Sequence, residues 1–184
     1  MQLTDPAVAD YLEERLDPHD EILDEMEAYA RETKFPIVGR QMGRLMALLA
    51  QAAKVRTVFE MGSGYGYSAL WFARALPEKG KIICSEGDPD NVERARQYLD
   101  RADVIHKAQL RVGDAIEILA GSSGPFDLIF IDIGKKDYPR ARSGWRFQDE
   151  ASSLIFSRQR HPGRPHPGPA EPKPDARGIR GSRA

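Results

Sequence analysis

The stretch Val58-Phe59-Glu60-Met61-Gly62-Ser63-Gly64-Tyr65-Gly66-Tyr67-Ser68 constrains this chain more than any other. An apolar strand pattern runs into three glycines at alternate positions, then into a helical pattern. Glycine lets the backbone turn tightly and come close to a ligand. The helix start that follows offers free N–H groups and the positive end of a dipole. A strand-to-helix turn without a ligand needs fewer glycines, so the spacing points to a bound group. A dinucleotide-binding turn would place its third glycine at position 67, where Tyr67 stands, which argues against a nucleotide-dependent oxidoreductase.

The surrounding pattern alternates. Strands are expected over 57–61, 81–86, 109–112 and 126–132, and helices over 67–76, 90–101 and 115–119. Such alternation implies an α/β fold with a parallel sheet covered on both faces and its ligand at one sheet edge. Upstream, helical patterns cover 7–16, 18–32 and 40–53, the first two opened by Asp5-Pro6 and Asp17-Pro18. Met42, Leu45, Met46 and Leu49 fall on one face of the third, and Phe35 to Gly39 reads as a linker.

Glu86 closes the second strand about 20 residues beyond the glycines, where a carboxylate accepts the two ribose hydroxyls of a nucleoside. The other reading is a solvated strand-end acid. Gly113-Asp114-Ala115 ends the third strand, and Asp114 either borders a base or only caps the next helix. Cys84, the one cysteine, reads as a buried thiol and rules out a disulfide within the chain. Trp71 is expected to pack on the sheet. His19, His106, His161 and His166 have no metal-ligand spacing.

A glutamate two residues before G-x-G-x-G resembles the first motif of Rossmann-like methyltransferases. Further on, Phe130-Ile131-Asp132-Ile133-Gly134-Lys135-Lys136-Asp137-Tyr138 resembles the F-[IV]-D-x-x-K-x-x-Y signature of cation-dependent O-methyltransferases, the caffeoyl-CoA and catechol type. Glu60 to Ser68 resembles that family's E-[IV]-G-x-x-x-G-Y-S, departing only at Met61. The resemblance runs from about Leu3 to Ala141. It implies a Rossmann-like fold, S-adenosylmethionine as cofactor, and methyl transfer to a hydroxyl of a catechol-like small molecule or of a hydroxylated tRNA nucleoside. By motif it assigns Val38, Glu60, Gly62, Ser63, Gly64, Ser68, Glu86, Asp114, Ala115 and Asp132 to the cofactor. It also makes Asp132 a ligand of a divalent cation, Mg²⁺ or Ca²⁺, and Lys135 the general base. A hard cation would lower the acceptor's pKa, and a lysine near it can take the proton.

The resemblance stops in 138–141. The family completes its cation site with an Asp-Asn pair at the end of a fifth strand, and the only asparagine here is Asn91. From Arg142 the chain turns rich in Arg, Pro, Gly and Ser. The expected organisation is therefore a cofactor-binding domain over 1–141 and a basic, disordered tail over 142–184. Shifted-frame translation would produce such text, giving an inactive product that at most binds the cofactor; a true basic tail that binds RNA is the alternative. No fifth strand is expected, only local docking of Leu154-Ile155-Phe156. The fourth strand would then keep an unpaired edge that favours a homodimer. The net charge of −1 adds an acidic body to a basic tail and carries no strong bias toward nucleic acid or membrane. The opening residues lack the blocks of a signal peptide, no apolar run approaches the roughly 20 residues of a span, and a cytoplasmic protein is expected.

Overall fold

The computed structural model describes residues 20–134, 137, 139–140 and 154–157. The helix expected over 7–16 lies outside them. Two helices come first, α1 (Glu21–Thr33) and α2 (Arg40–Ala52). Strands and helices then alternate: β1 (Thr57–Met61), α3 (Tyr67–Ala75), β2 (Lys81–Glu86), α4 (Pro89–Arg101), a 3₁₀ turn (Ile105–Lys107), β3 (Ala108–Val112), α5 (Ala115–Ala120), β4 (Leu128–Ile131) and β5 (Leu154–Ser157). The strands form one sheet in the order β3-β2-β1-β4-β5, and every pairing is parallel. The chain moves outward from β1 through β2 to β3, then crosses back to β4. The strand order reverses between β1 and β4, where an open α/β sheet has its crevice.

Alternation along the strands splits the core in two. Val58, Ile82, Cys84, Leu128 and Phe130 join Leu23, Met26, Met46, Leu70, Phe72 and Leu99 from α1 to α4. Phe59, Met61, Ile129 and Ile131 pack on the other face with Leu119 and Phe126. Three aspartates start helices by accepting backbone N–H groups: Asp20 from Leu23, Asp88 from Asp90, and Asp114 from Ile116 and Glu117.

Four expectations are corrected. The helix expected from Pro18 begins at Glu21, because Asp20 supplies the cap and also pairs with Arg74 of α3. The strand expected over 126–132 is shorter. Asp127 keeps a main-chain N–H bond to the Thr57 carbonyl at 3.0 Å and turns its carboxylate to the N–H groups of Arg56 and Thr57, each at 2.8 Å, so regular pairing starts at Leu128. The core face of α2 is Gly43, Met46 and Ala50, while Met42, Leu45 and Leu49 are 48%, 48% and 42% exposed. Trp71, which packs against the larger core cluster, also lies on α2 over Gly43: a Cβ at Gly43 would stand 2.3 Å from the indole Nε1.

The fourth correction concerns the tail. β5 runs parallel to β4, with Leu154 opposite Leu128 and Phe156 opposite Phe130. Leu154 and Phe156 pack against the larger core cluster, and the Phe156 ring stacks on Phe72 at 6.5 Å between centroids. The sheet therefore has a fifth strand where none was expected. The β4 edge is covered, and the dimer inferred from an unpaired edge there loses that basis.

The contact between Gly43 and Trp71 can be tested. Gly43→Ala forces the indole to move and should destabilise the protein by about 1–3 kcal/mol, less the roughly 1 kcal/mol that alanine gains over glycine in a helix. Denaturant unfolding should show a smaller cost in a Trp71→Leu background. An equal cost in both would mean that the indole is not the obstacle.

Candidate functional site

The glycine turn sits at the carboxyl ends of β1 and β4. Gly62 has φ +82°, and a Cβ there would stand 2.8 Å from the main-chain oxygen of Asp132. The N–H groups of Gly62 and Ser63 both donate to the Ser85 carbonyl, at 2.9 and 3.0 Å. Gly64 and Gly66 also have positive φ, +52° and +90°. These angles strain any residue with a Cβ, which explains the glycine spacing without reference to a ligand. The ligand argument rests on what surrounds the turn.

The turn lines a small cleft of about 80 Å³, open to solvent. Its walls are Phe35 to Val38, Gly62 to Tyr65, Tyr67, Ser68, Glu86 and Asp132. Glu86 stands opposite the glycines with both oxygens already oriented: Gly64 N–H donates to Oε2 at 2.8 Å, and Asp88 N–H donates to Oε1 at 3.0 Å. Each carboxylate oxygen has acceptor capacity left for a further donor. Two anchored oxygens facing a cleft suit a diol.

Glu60 lies beneath the turn and is wholly buried. Ser68 Oγ donates to its Oε1, and Ser85 Oγ donates to its main-chain oxygen at 2.8 Å. Among the described residues, Oε2 accepts no hydrogen bond of ordinary geometry, although the Ser63 hydroxyl and the Cys84 thiol lie close enough to act on the carboxylate. Burial pushes the Glu60 carboxyl up to about 7, the serines pull it back, and the Asp132 charge adds to the rise. The Cys84 thiol, also buried, is pushed well above its ordinary range, which makes it inert as a nucleophile at neutral pH.

The structure gathers eight of the residues assigned by motif around one cleft. Val38, Gly62, Ser63, Gly64, Ser68, Glu86 and Asp132 line it, and Glu60 supports it from below. Asp114 and Ala115 do not line it: Asp114 caps α5, and Ala115 packs on the smaller core cluster. Lys135 lies outside the described residues. Sequence reasoning passed over Phe35, Pro36, Ile37, Tyr65 and Tyr67. The first three were read as a linker, though Pro36 and Gly39 do mark a segment of fixed shape there. Asp132 was also assigned to a divalent cation. Among the described residues, no three His, Cys, Asp or Glu side chains come together. A hard cation needs several oxygen ligands, so these residues do not fit a resident ion.

A parallel sheet reversing between β1 and β4, with a glycine turn at the crevice and an oriented carboxylate across it, defines a Rossmann-like methyltransferase fold. The O-methyltransferase family model matches residues 13–143, and the chain belongs to that family. A catechol O-methyltransferase of Niastella koreensis is 41% identical over 105 residues, 55% of this chain and 48% of its own length. A methyltransferase from Geobacter sulfurreducens has a TM-score of 0.77 at 32% identity, covering 85% of this chain and 79% of that one. An O-methyltransferase from Streptomyces achromogenes involved in tomaymycin synthesis, solved in complex with SAM, has a TM-score of 0.68 at 33% identity, covering 76% and 67%. The chain spans about half the length of the curated relatives it matches. Among the described residues, no helix is long and apolar enough to cross a membrane.

The raised Glu60 carboxyl has a consequence for stability. An unfolded Glu60 loses its proton near 4.5, and the folded one holds it to about 7. Between these values the folded state binds more protons, so stability falls as pH rises through that window. Between about pH 5 and pH 8, the wild type should lose on the order of 2 kcal/mol that Glu60→Gln does not lose. Parallel pH dependences of unfolding in the two proteins would contradict this.

Proposed function

We propose that the chain binds S-adenosylmethionine in this cleft and belongs to an enzyme that methylates a hydroxyl group. The observation that carries the reading is Glu86, whose two oxygens are held by Gly64 and Asp88 N–H groups while facing the cleft. That arrangement suits both hydroxyls of a ribose. Gly62 and Gly64 let the turn lie close against Asp132 and Phe35 at the edge of the cleft. Val38 and its neighbours supply an apolar wall, and Ser63 and Ser68 a polar floor. Asp114 and Ala115 would flank the adenine from the end of β3.

The cofactor supplies an electrophilic methyl group on a sulfonium. The chain's part is then to position it and to manage the acceptor's proton. By family resemblance Lys135 would take that proton. The family, together with the catechol O-methyltransferase relatives, supports a small acceptor of the catechol type. A hydroxylated tRNA nucleoside is the other acceptor that the resemblance implies. The described residues do not bring together the several oxygen ligands that a divalent cation needs.

Calorimetry with S-adenosylmethionine, followed by a transfer assay with a catechol and Mg²⁺, tests the reading. Binding and a methylated product are expected. Binding without product would mark the inactive alternative, and absence of binding would overturn the proposal. Glu86→Ala removes a two-point, charge-assisted contact and should weaken binding by about 1.5–3 kcal/mol. Unchanged affinity in that variant would remove Glu86 from the site.

A further inference from the structure

Three helices meet behind the cleft on one carboxylate. Asp24 and Glu27 lie three residues apart on α1, Arg40 is the first residue of α2, and Tyr67 is the first of α3. Arg40 donates from Nη2 to Asp24 Oδ1 at 2.5 Å and from Nε to Glu27 Oε1 at 3.0 Å. The Tyr67 hydroxyl donates to the same Glu27 oxygen at 2.6 Å. Glu27 therefore ties the start of α2 to the start of α3.

Only residues 34–39 join α1 to α2. This strap begins at Lys34 with φ +56° and ends at Gly39 with φ +79°. Between them, Phe35, Pro36, Ile37 and Val38 form one wall of the cleft. Phe35 packs edge-on against Tyr65 at 5.0 Å and lies so near Gly64 that a Cβ there would stand 2.8 Å from its ring. Asp24, Glu27 and Arg40 are not among the residues lining the cleft.

We propose that Glu27 is a positioning residue for the cofactor: by holding Arg40 and Tyr67 on one oxygen, it fixes the strap of 35–38 over the glycine turn. The inference rests on the proposed function for the identity of the ligand. Its physical basis is entropy. A strap without secondary structure loses conformational entropy when it is ordered. If that order is already set in the free protein, ligand binding does not bear the cost. Burial works against the Arg40 charge, but its bonds to Glu27 and Asp24 outweigh this and raise its pKa, so Arg40 stays charged.

The test uses the full chain with Glu27→Gln, which keeps the shape and removes the charge. Affinity for S-adenosylmethionine by calorimetry should fall roughly tenfold, the loss of one charge-assisted bond's worth of order. Hydrogen exchange of 35–39 should speed up while β1 and β4 keep their protection. Wild-type affinity in Glu27→Gln would overturn the proposal. So would weaker binding accompanied by a global loss of protection, which would make Glu27 merely structural. If the wild type does not bind S-adenosylmethionine, the proposed function falls, and strap exchange alone then decides whether Glu27 sets that wall.

Discussion

Everything at the site depends on the approach of two backbones, Gly62 at the end of β1 and Asp132 at the end of β4. No side chain fits between them, since a Cβ at Gly62 would stand 2.8 Å from the Asp132 oxygen. The approach follows from the register that pairs Met61 with Ile131, extended by the Asp132 N–H bond to the Met61 carbonyl at 2.9 Å. It closes the floor of the crevice where strand order reverses. β2 completes the geometry from the other side. The Ser85 carbonyl takes the two N–H groups of the turn, and Glu86, one residue on, takes a third. The turn is thus held by β2 before any ligand arrives. Preorganisation of this kind removes a cost that binding would otherwise carry.

The same place holds a buried carboxyl that costs the core stability. Glu60 is sealed beneath the turn with one oxygen lacking an ordinary hydrogen bond. A core built for stability alone would not bury a carboxyl that way. Its neighbours are chosen to limit the cost rather than remove it: the Ser68 hydroxyl bonds one oxygen, and Cys84 beside it in register brings a thiol instead of a second charge. Violations of local rules concentrate at functional sites, and Glu60 supports this cleft directly. Its proximity to Asp132 adds a like charge, so the two carboxyls cannot be considered independently.

The sheet and its glycine turn were legible in the sequence because their signals are local. Period-2 alternation, glycines at strand ends and aspartates before helices each act within a few residues. The bounds of β1 and β2 follow from such signals, and the motif-matched residues converge as far as they depend on β1, β2 and β4. What was not legible depends on long-range pairing. Nothing near Gly43 announces that Trp71 will lie on it, and apolar Met42, Leu45 and Leu49 therefore suggested the wrong face of α2. The wall built from Phe35 to Val38 looked like a linker because its order comes from Glu27, Arg40 and Tyr67, which are scattered over 40 residues. Asp114 met the criteria of both its readings in sequence; the structure shows the cap, and the place beside an adenine stands with it as a proposal.

β5 shows how an average can mislead. The composition after Arg142 is polar and rich in proline, and a segment of that kind does not bury enough surface to offset its ordering. But strand addition is decided over four residues, not forty. Leu154 and Phe156 fall on one side with Ile155 and Ser157 on the other, which is the period-2 pattern of a half-buried strand. β4 offers a row of main-chain donors and acceptors that must otherwise go unpaired, a stronger demand for a buried strand than for an exposed one. The Leu154 N–H meets the Asp127 carbonyl at 2.9 Å, and Phe156 stacks on Phe72 from above. Any short apolar segment with that alternation and enough chain to reach β4 would serve. Pairing at this edge therefore speaks to what β4 requires, and less to whether the flanking tail was selected to supply it.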